Sequence, residues 1–215
     1  MKTLAIFDLD GTLLNTIDDL GTAVNAALAA HGLPQHPMSS YPMMVGNGVR
    51  RLIERALPSE NRDATTVDAL LTDFRRYYDE HLYDFTVPYP GIPELLHRLC
   101  ERGVTPAVAS NKYESAVERL IAHFFGDIKF AAVCGNIPGV PTKPDPSIVF
   151  RILTAHPTPK EDVLYIGDSG VDMETARRAG VESVGVTWGF RPRRELSDAY
   201  ADHIVDDPDD IFELL

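Results

Sequence analysis

Two carboxylates one residue apart, Asp8 and Asp10, close the short run Thr3-Leu4-Ala5-Ile6-Phe7 and are followed by Gly11. Such an apolar run reads as a buried strand. Its carboxyl end is where open α/β sheets hold their ligands. Like charges buried side by side repel, so the pair requires a positive partner, most simply a divalent cation. Three further segments carry reactive side chains: Ser110-Asn111-Lys112, Lys143-Pro144-Asp145-Pro146 and Gly167-Asp168-Ser169-Gly170-Val171-Asp172. Taken singly, each has an ordinary role as a helix cap or a surface charge. Brought to one edge of one sheet, they supply acids, a hydroxyl and a lysine, the set needed for metal-assisted phosphate chemistry.

The elements that must bring them there are legible from periodicity. Strand-like runs fall at Leu4–Phe7, Thr105–Ala109, Phe130–Cys134, Val163–Ile166 and Ser183–Val186. Between them, Glu94–Arg102, Ser115–Phe125 and Ile148–Leu153 repeat apolar residues at helical spacing. Asp145-Pro146 suits the start of the last of these helices. This alternation predicts an α/β fold, a doubly wound parallel sheet covered on both faces. One interval breaks it. From Asn15 to Phe85 no strand pattern appears, and Asp19–His31, Gly48–Leu57 and Thr66–Leu82 read as helices. An all-helical block is therefore inserted after the first strand, bordered by Asn15-Thr16 and by Thr86–Gly91 with its two prolines.

The 215 residues carry a net charge of −12, which argues against nucleic acid or an anionic membrane as partner but leaves room for a local phosphate site. The 44% hydrophobic content is ordinary for a globular enzyme. Cys100 and Cys134 lie far apart in apolar patterns and read as buried thiols of a reducing cytoplasm. The first residues lack the pattern of a signal peptide, and no apolar run approaches the ~18 residues of a membrane span.

Asp8-Leu9-Asp10-Gly11-Thr12-Leu13, followed in order by Ser110, Lys143 and the Asp168/Asp172 pair, resembles the four motifs of the haloacid dehalogenase-like superfamily of phosphohydrolases. The resemblance spans essentially the whole chain. Val45-Gly46-Asn47-Gly48-Val49-Arg50 and Trp188-Gly189-Phe190 are similar to its phosphoglycolate phosphatase-like branch, with Asn15 in place of a usual Asp and Ser110 in place of a frequent Thr. The resemblance implies a Rossmann-like core of residues 1–14 and 87–215 and a helical cap of residues 15–86. It implies that Asp8 is the nucleophile, forming an aspartyl-phosphate, and that Asp10 protonates the leaving alcohol and then activates water. Halide leaves unprotonated, so an acid at Asp10 favours phosphate substrates. Mg2+ would be held by the Asp8 side chain, the Asp10 carbonyl and Asp168, a hard-oxygen set. Asp172 would either meet the ion's water shell or orient Lys143. Ser110, Asn111, Lys143 and the backbone of Gly11 and Thr12 would hold the phosphoryl oxygens.

The resulting expectation is a Mg2+-dependent phosphatase of a small phosphorylated metabolite such as phosphoglycolate, a monomer or homodimer with no nucleic-acid or membrane partner. A β-phosphoglucomutase-like sugar phosphomutase, a pyrophosphatase or a nucleotidase would use the same two acids. A catalytically silent phosphate-binding regulator is the alternative of another class. Gly46, Asn47 and Gly48 read as a substrate loop, and Arg50 as a cation for a substrate carboxylate or a plain surface charge. Tyr77, Tyr78 and Trp188 read as packing groups. Residues 195–215 carry eight acids and no lysine or arginine, and their densest run, Asp206-Asp207-Pro208-Asp209-Asp210, reads as a solvated turn and helix start. Arg191, Arg193 and Arg194 read as a basic knot offsetting that acidic tail, with contact to the phosphate end as the lesser alternative.

Overall fold

The computed structural model describes residues 1–215. Its core is six parallel strands. β1 (Leu4–Phe7), β4 (Thr105–Tyr113), β5 (Val133–Asn136), β6 (Val163–Gly167), β7 (Glu182–Val186) and β8 (His203–Val205) lie in the order β5-β4-β1-β6-β7-β8. Every residue of β1 is buried, as expected of a central strand covered on both faces. Alternate residues serve the two faces. Ala5, Phe7, Val108, Leu164 and Ile166 join one apolar cluster, while Leu4, Ile6, Ala107, Ala109, Val163 and Tyr165 join the other.

Helices α4 (Ile92–Glu101) and α5 (Glu114–Phe124) cover the first face, and α6 (Ser147–Ala155) and α7 (Gly170–Ala179) the second. Between β2 (Leu14–Asn15) and β3 (Val87–Pro88) every regular element is helical. These are α1 (Ile17–Ala30), α2 (Val49–Ala56), α3 (Ala64–Glu80) and short 3-10 turns, of which the longest is Met38–Met43. β2 and β3 pair antiparallel, so the chain leaves the sheet and returns to it side by side. The block shares the first face's apolar cluster through Leu20, Val24, Phe74 and Tyr78. No helix is long and apolar enough to cross a membrane.

Several expectations need correction. β8 and α8 (Arg193–Asp198) lie toward the acid-rich end of the chain, where the sequence suggests only a turn and helix start at Asp206–Asp210; that run does open a 3-10 helix over Pro208–Leu214, capped by Asp207. β4 continues through Ser110-Asn111-Lys112 with a register irregularity between Ala109 and Tyr113, rather than ending at Ala109. β5 starts later than its apolar run. Helix α6 starts at Ser147, and Asp145 accepts hydrogen bonds from its N–H and its hydroxyl. Cys100 is exposed, on a helix whose Leu95, Leu96 and Leu99 take the inward face, whereas Cys134 is buried.

Candidate active site

β1 has neighbours on either side that continue the chain in opposite directions, β4 with β5 and β6 with β7. That reversal opens a crevice at the carboxyl ends of the strands. Asp8 follows β1, and its N–H is fixed by the Ile166 carbonyl at 2.9 Å. Asp168 follows β6, and Ser110 lies in the irregular end of β4. Lys143 arrives on the loop before α6, where its main-chain N–H donates to Asn111 Oδ1 at 2.8 Å.

The acids cluster. One carboxylate oxygen from each of Asp8, Asp168 and Asp172 lies within 4.8 Å of the other two, and all three residues are buried. Lys143 Nζ donates to Asp8 Oδ1 at 3.0 Å, Asp172 Oδ1 at 2.7 Å and the Ala109 carbonyl at 2.8 Å. Those three acceptors use all its protons. Asp172 has a second engagement: its Oδ2 accepts from the Ser169 hydroxyl at 2.6 Å and N–H at 3.2 Å, at the start of α7. Asp168 Oδ2 accepts from the Phe190 N–H at 2.7 Å, and Asp8 Oδ1 also accepts from the Leu9 N–H at 2.7 Å. Asp8 Oδ2 and Asp168 Oδ1 are thus the oxygens not engaged by the chain's own donors.

The electrostatics are unbalanced. Burial pushes the Asp8 carboxyl up to about 7; Lys143 pulls against that, while Asp172 and Asp10 reinforce it. Burial, then Asp172 and Asp8, holds Asp168 well above the carboxylate range. Burial alone would lower Lys143, but Asp172 and Asp8 outweigh it and hold the ammonium charged. Three clustered carboxylates and one saturated lysine leave uncompensated negative charge. A hard divalent cation with oxygen ligands fits that donor set.

Asp10 sits apart from this cluster. Its Oδ1 accepts from Thr16 Oγ1 at 2.7 Å and pairs with Lys112 Nζ at 2.9 Å. The two acids of the opening motif therefore have different cations, the arrangement that separate chemical roles demand.

Asp8, Asp10, Ser110, Asn111, Asp168, Gly46 and Gly48 line one cavity between sheet and helical block. Asn111 Nδ2 also donates to the Gly46 carbonyl at 3.0 Å. Gly11, at φ +86°, lies against the Asp168 carboxylate so closely that a Cβ would collide with it. Thr12 is buried, its carbonyl accepting from Trp188 Nε1 at 3.1 Å. Asn47 and Arg50 are not brought to the cavity. Asn47 Oδ1 accepts from Arg55 at 2.6 Å, and Arg50 is half-exposed and ion-paired with Asp68 on α3. Helical geometry turns Arg50 away, because Val49, Leu52 and Ile53 face inward on α2.

Three cavity residues escaped the sequence reading of function. Lys112 belongs to the Ser110 motif and was the one most open to discovery. Tyr78 fits the helical stripe of α3, which hides it among packing residues. Arg191 does not serve the acidic tail. Its guanidinium bonds the Pro42 carbonyl and, at 2.7 Å, the Val45 carbonyl, with Glu195 at 3.5 Å, whereas Arg193 does pair with Asp206.

Residues 5–186 match the haloacid dehalogenase-like hydrolase family. A phosphoglycolate phosphatase of Pseudomonas syringae pv. tomato is 35% identical, over 96% of this chain and 77% of that protein. One of Haemophilus influenzae is 34% identical, over 94% and 92%. A solved structure from Lactobacillus delbrueckii subsp. bulgaricus superposes with a TM-score of 0.93 at 32% identity, covering 100% of this chain and 98% of that one. Another, described as a predicted phosphoglycolate phosphatase from Haemophilus somnus 129pt, gives 0.90 at 29% identity, over 99% and 97%.

Proposed function

The chain belongs to the haloacid dehalogenase-like hydrolase family and is a phosphoric monoester hydrolase of the phosphoglycolate phosphatase-like branch, and from that premise we propose that it hydrolyses a small phosphorylated metabolite, phosphoglycolate or a close analogue, through Asp8 with Mg2+. The observation that carries the reading is the separate pairing of the two acids, Asp8 with Lys143 and Asp10 with Lys112 and Thr16. Relatives named for phosphoglycolate that match nearly the whole of this chain suggest the substrate class.

Asp8 attacks phosphorus and carries the phosphoryl group as a mixed anhydride. Asp10 gives its proton to the leaving oxygen and afterwards takes one from the attacking water. Thr16 and Lys112 fix the carboxylate for both steps. Ser110 meets a phosphoryl oxygen, and Lys143 meets another with the proton that Asp8 releases once it becomes the phosphorylated group; loss of one such contact costs about 100- to 1,000-fold in rate. Asp8, the Asp10 carbonyl and Asp168 would hold Mg2+, which when bound neutralises charge on the incoming phosphate and on the acids themselves. Asp172 holds Lys143 and the start of α7, a supporting position consistent with both of its oxygens being engaged. Residues 15–86 act as the cap that keeps bulk water from the phosphorylated aspartate. With both cysteines free, the protein suits a reducing cytoplasm.

The test is phosphate release from phosphoglycolate. Asp8→Asn should abolish it with the fold intact by circular dichroism, and EDTA should abolish it in the unaltered protein until Mg2+ is restored. Turnover by Asp8→Asn, or turnover in EDTA, would overturn the reading.

A further inference from the structure

Two buried polar side-chain atoms in the molecule lack a hydrogen-bond partner, and one of them is the hydroxyl of Tyr78. Tyr78 is fully buried on α3 and lines the cavity beside Asp10 and Lys112. A buried hydroxyl left unpaired costs about 1–3 kcal/mol. Phenylalanine would fill the same space: Phe74 already stacks on the Tyr78 ring at 5.3 Å. The hydroxyl has no use in packing, so its use must be sought in what enters the cavity.

The cations around that cavity narrow the choice further. Lys143 is saturated by Asp8, Asp172 and Ala109. Arg191 is spent on two carbonyls and Glu195, and Arg50 on Asp68 outside. Lys112 is different. Its side chain is 4% exposed, its one acidic partner is Asp10 Oδ1 at 2.9 Å, and its ammonium stands 4.9 Å from the centre of the Tyr78 ring. It therefore keeps N–H donors beyond the one given to Asp10. The surrounding wall is apolar: Leu20, Val49, Leu52 and Phe74.

We infer that Tyr78 and Lys112 form the subsite for the leaving group, and that it selects a short leaving group ending in a carboxylate. The inference rests on the phosphatase reading above, which sets the leaving oxygen at Asp10. Beyond that oxygen the substrate meets Lys112, the Tyr78 hydroxyl and apolar side chains. An anionic acceptor satisfies both polar groups at once; a neutral alkyl chain satisfies neither. The subsite comes from two parts of the chain, Lys112 at the end of β4 and Tyr78 on α3 of the helical block, so it is complete only with the block seated on the sheet.

The experiment compares phosphoglycolate with ethyl phosphate, which lacks the carboxylate, in the unaltered protein and in Tyr78→Phe. The unaltered protein should prefer phosphoglycolate in kcat/KM by about 100-fold, two hydrogen bonds to a charged acceptor. Tyr78→Phe should cut kcat/KM for phosphoglycolate about tenfold, chiefly through KM, and leave ethyl phosphate within about twofold. Its thermal midpoint should hold or rise, since no hydrogen bond is removed from the free protein. A parallel loss on both esters, no loss on phosphoglycolate, or a lowered midpoint would each overturn the subsite. Calorimetric binding of the two esters to Asp8→Asn, with and without Tyr78→Phe, separates this from the reaction assignment. If no phosphate is released from either ester yet Asp8→Asn tells them apart through Tyr78, the subsite stands and the reaction falls. If both esters are hydrolysed equally, the reaction stands and the subsite falls.

Discussion

Asp8 carries a conflict that pH exposes. Burial holds its carboxyl at about 7, against an ordinary 3.8. In the unfolded chain it ionises near its ordinary value, so between about pH 4 and about 7 the folded state keeps a proton that the unfolded state has lost. A raised carboxyl of this kind favours the folded state less and less as pH climbs through that window. Mg2+ requires the ionised form, and its binding therefore releases a proton there. The thermal upshift given by Mg2+ should be small near pH 5 and grow to a plateau near pH 8. Scanning calorimetry with and without Mg2+ across that range measures it, and an upshift independent of pH would contradict the placement of the ion at Asp8. At this scale the sequence spoke clearly about acids and poorly about their neighbours. Asp8, Asp10, Asp168 and Lys143 stand in short motifs. Tyr78 and Arg191 acquire their surroundings only when the helical block meets the sheet, which brings Lys112 to Tyr78 and Pro42 to Arg191.

At the scale of elements, the return from α3 to β3 hangs on one side chain. Asp19, buried in α1, accepts from the Phe85 N–H at 3.0 Å, the Thr86 N–H at 2.8 Å and the Thr86 hydroxyl at 2.6 Å. Asp19→Ala would leave those donors unpaired in a dry site. Charged hydrogen bonds and orphaned amides of this kind make the expected loss about 2–4 kcal/mol, read as a fall in the urea midpoint. No change would mean that water replaces the carboxylate. Long helices and central strands were legible because their periodicity follows from burial on one stripe or on both faces. β8 was not. Its three residues at the sheet edge are flanked by Asp202, Asp206 and Asp207, and a half-covered edge strand needs little apolar patterning. The irregular end of β4 was missed for a related reason. Ser110-Asn111-Lys112 is polar because it faces the site, so hydropathy stops where the backbone does not.

Across the whole molecule, the helical block is held to the sheet from the sheet side. Arg191 binds the carbonyls of Pro42 and Val45, and Asn111 binds that of Gly46. All three acceptors lie in the segment that leads into α2. Arg191→Met should loosen that segment, with faster amide hydrogen exchange over residues 43–49 and a KM for phosphoglycolate about tenfold higher at nearly constant kcat. Unaltered exchange would show that Arg191 does not fasten this segment. The sequence disclosed the block's existence through its missing strands, but not how it is fastened, because backbone carbonyls leave no trace in residue identity.

The pairing of Leu14–Asn15 with Val87–Pro88 has a consequence for how such proteins diversify. Both ends of a seventy-residue excursion emerge at one spot, beside the acids rather than among them. A different excursion that keeps Thr16 could be spliced between the same two anchor strands while the parallel sheet, its register and its carboxylates stay untouched. Selectivity can then drift quickly on a chassis whose reaction chemistry stays fixed.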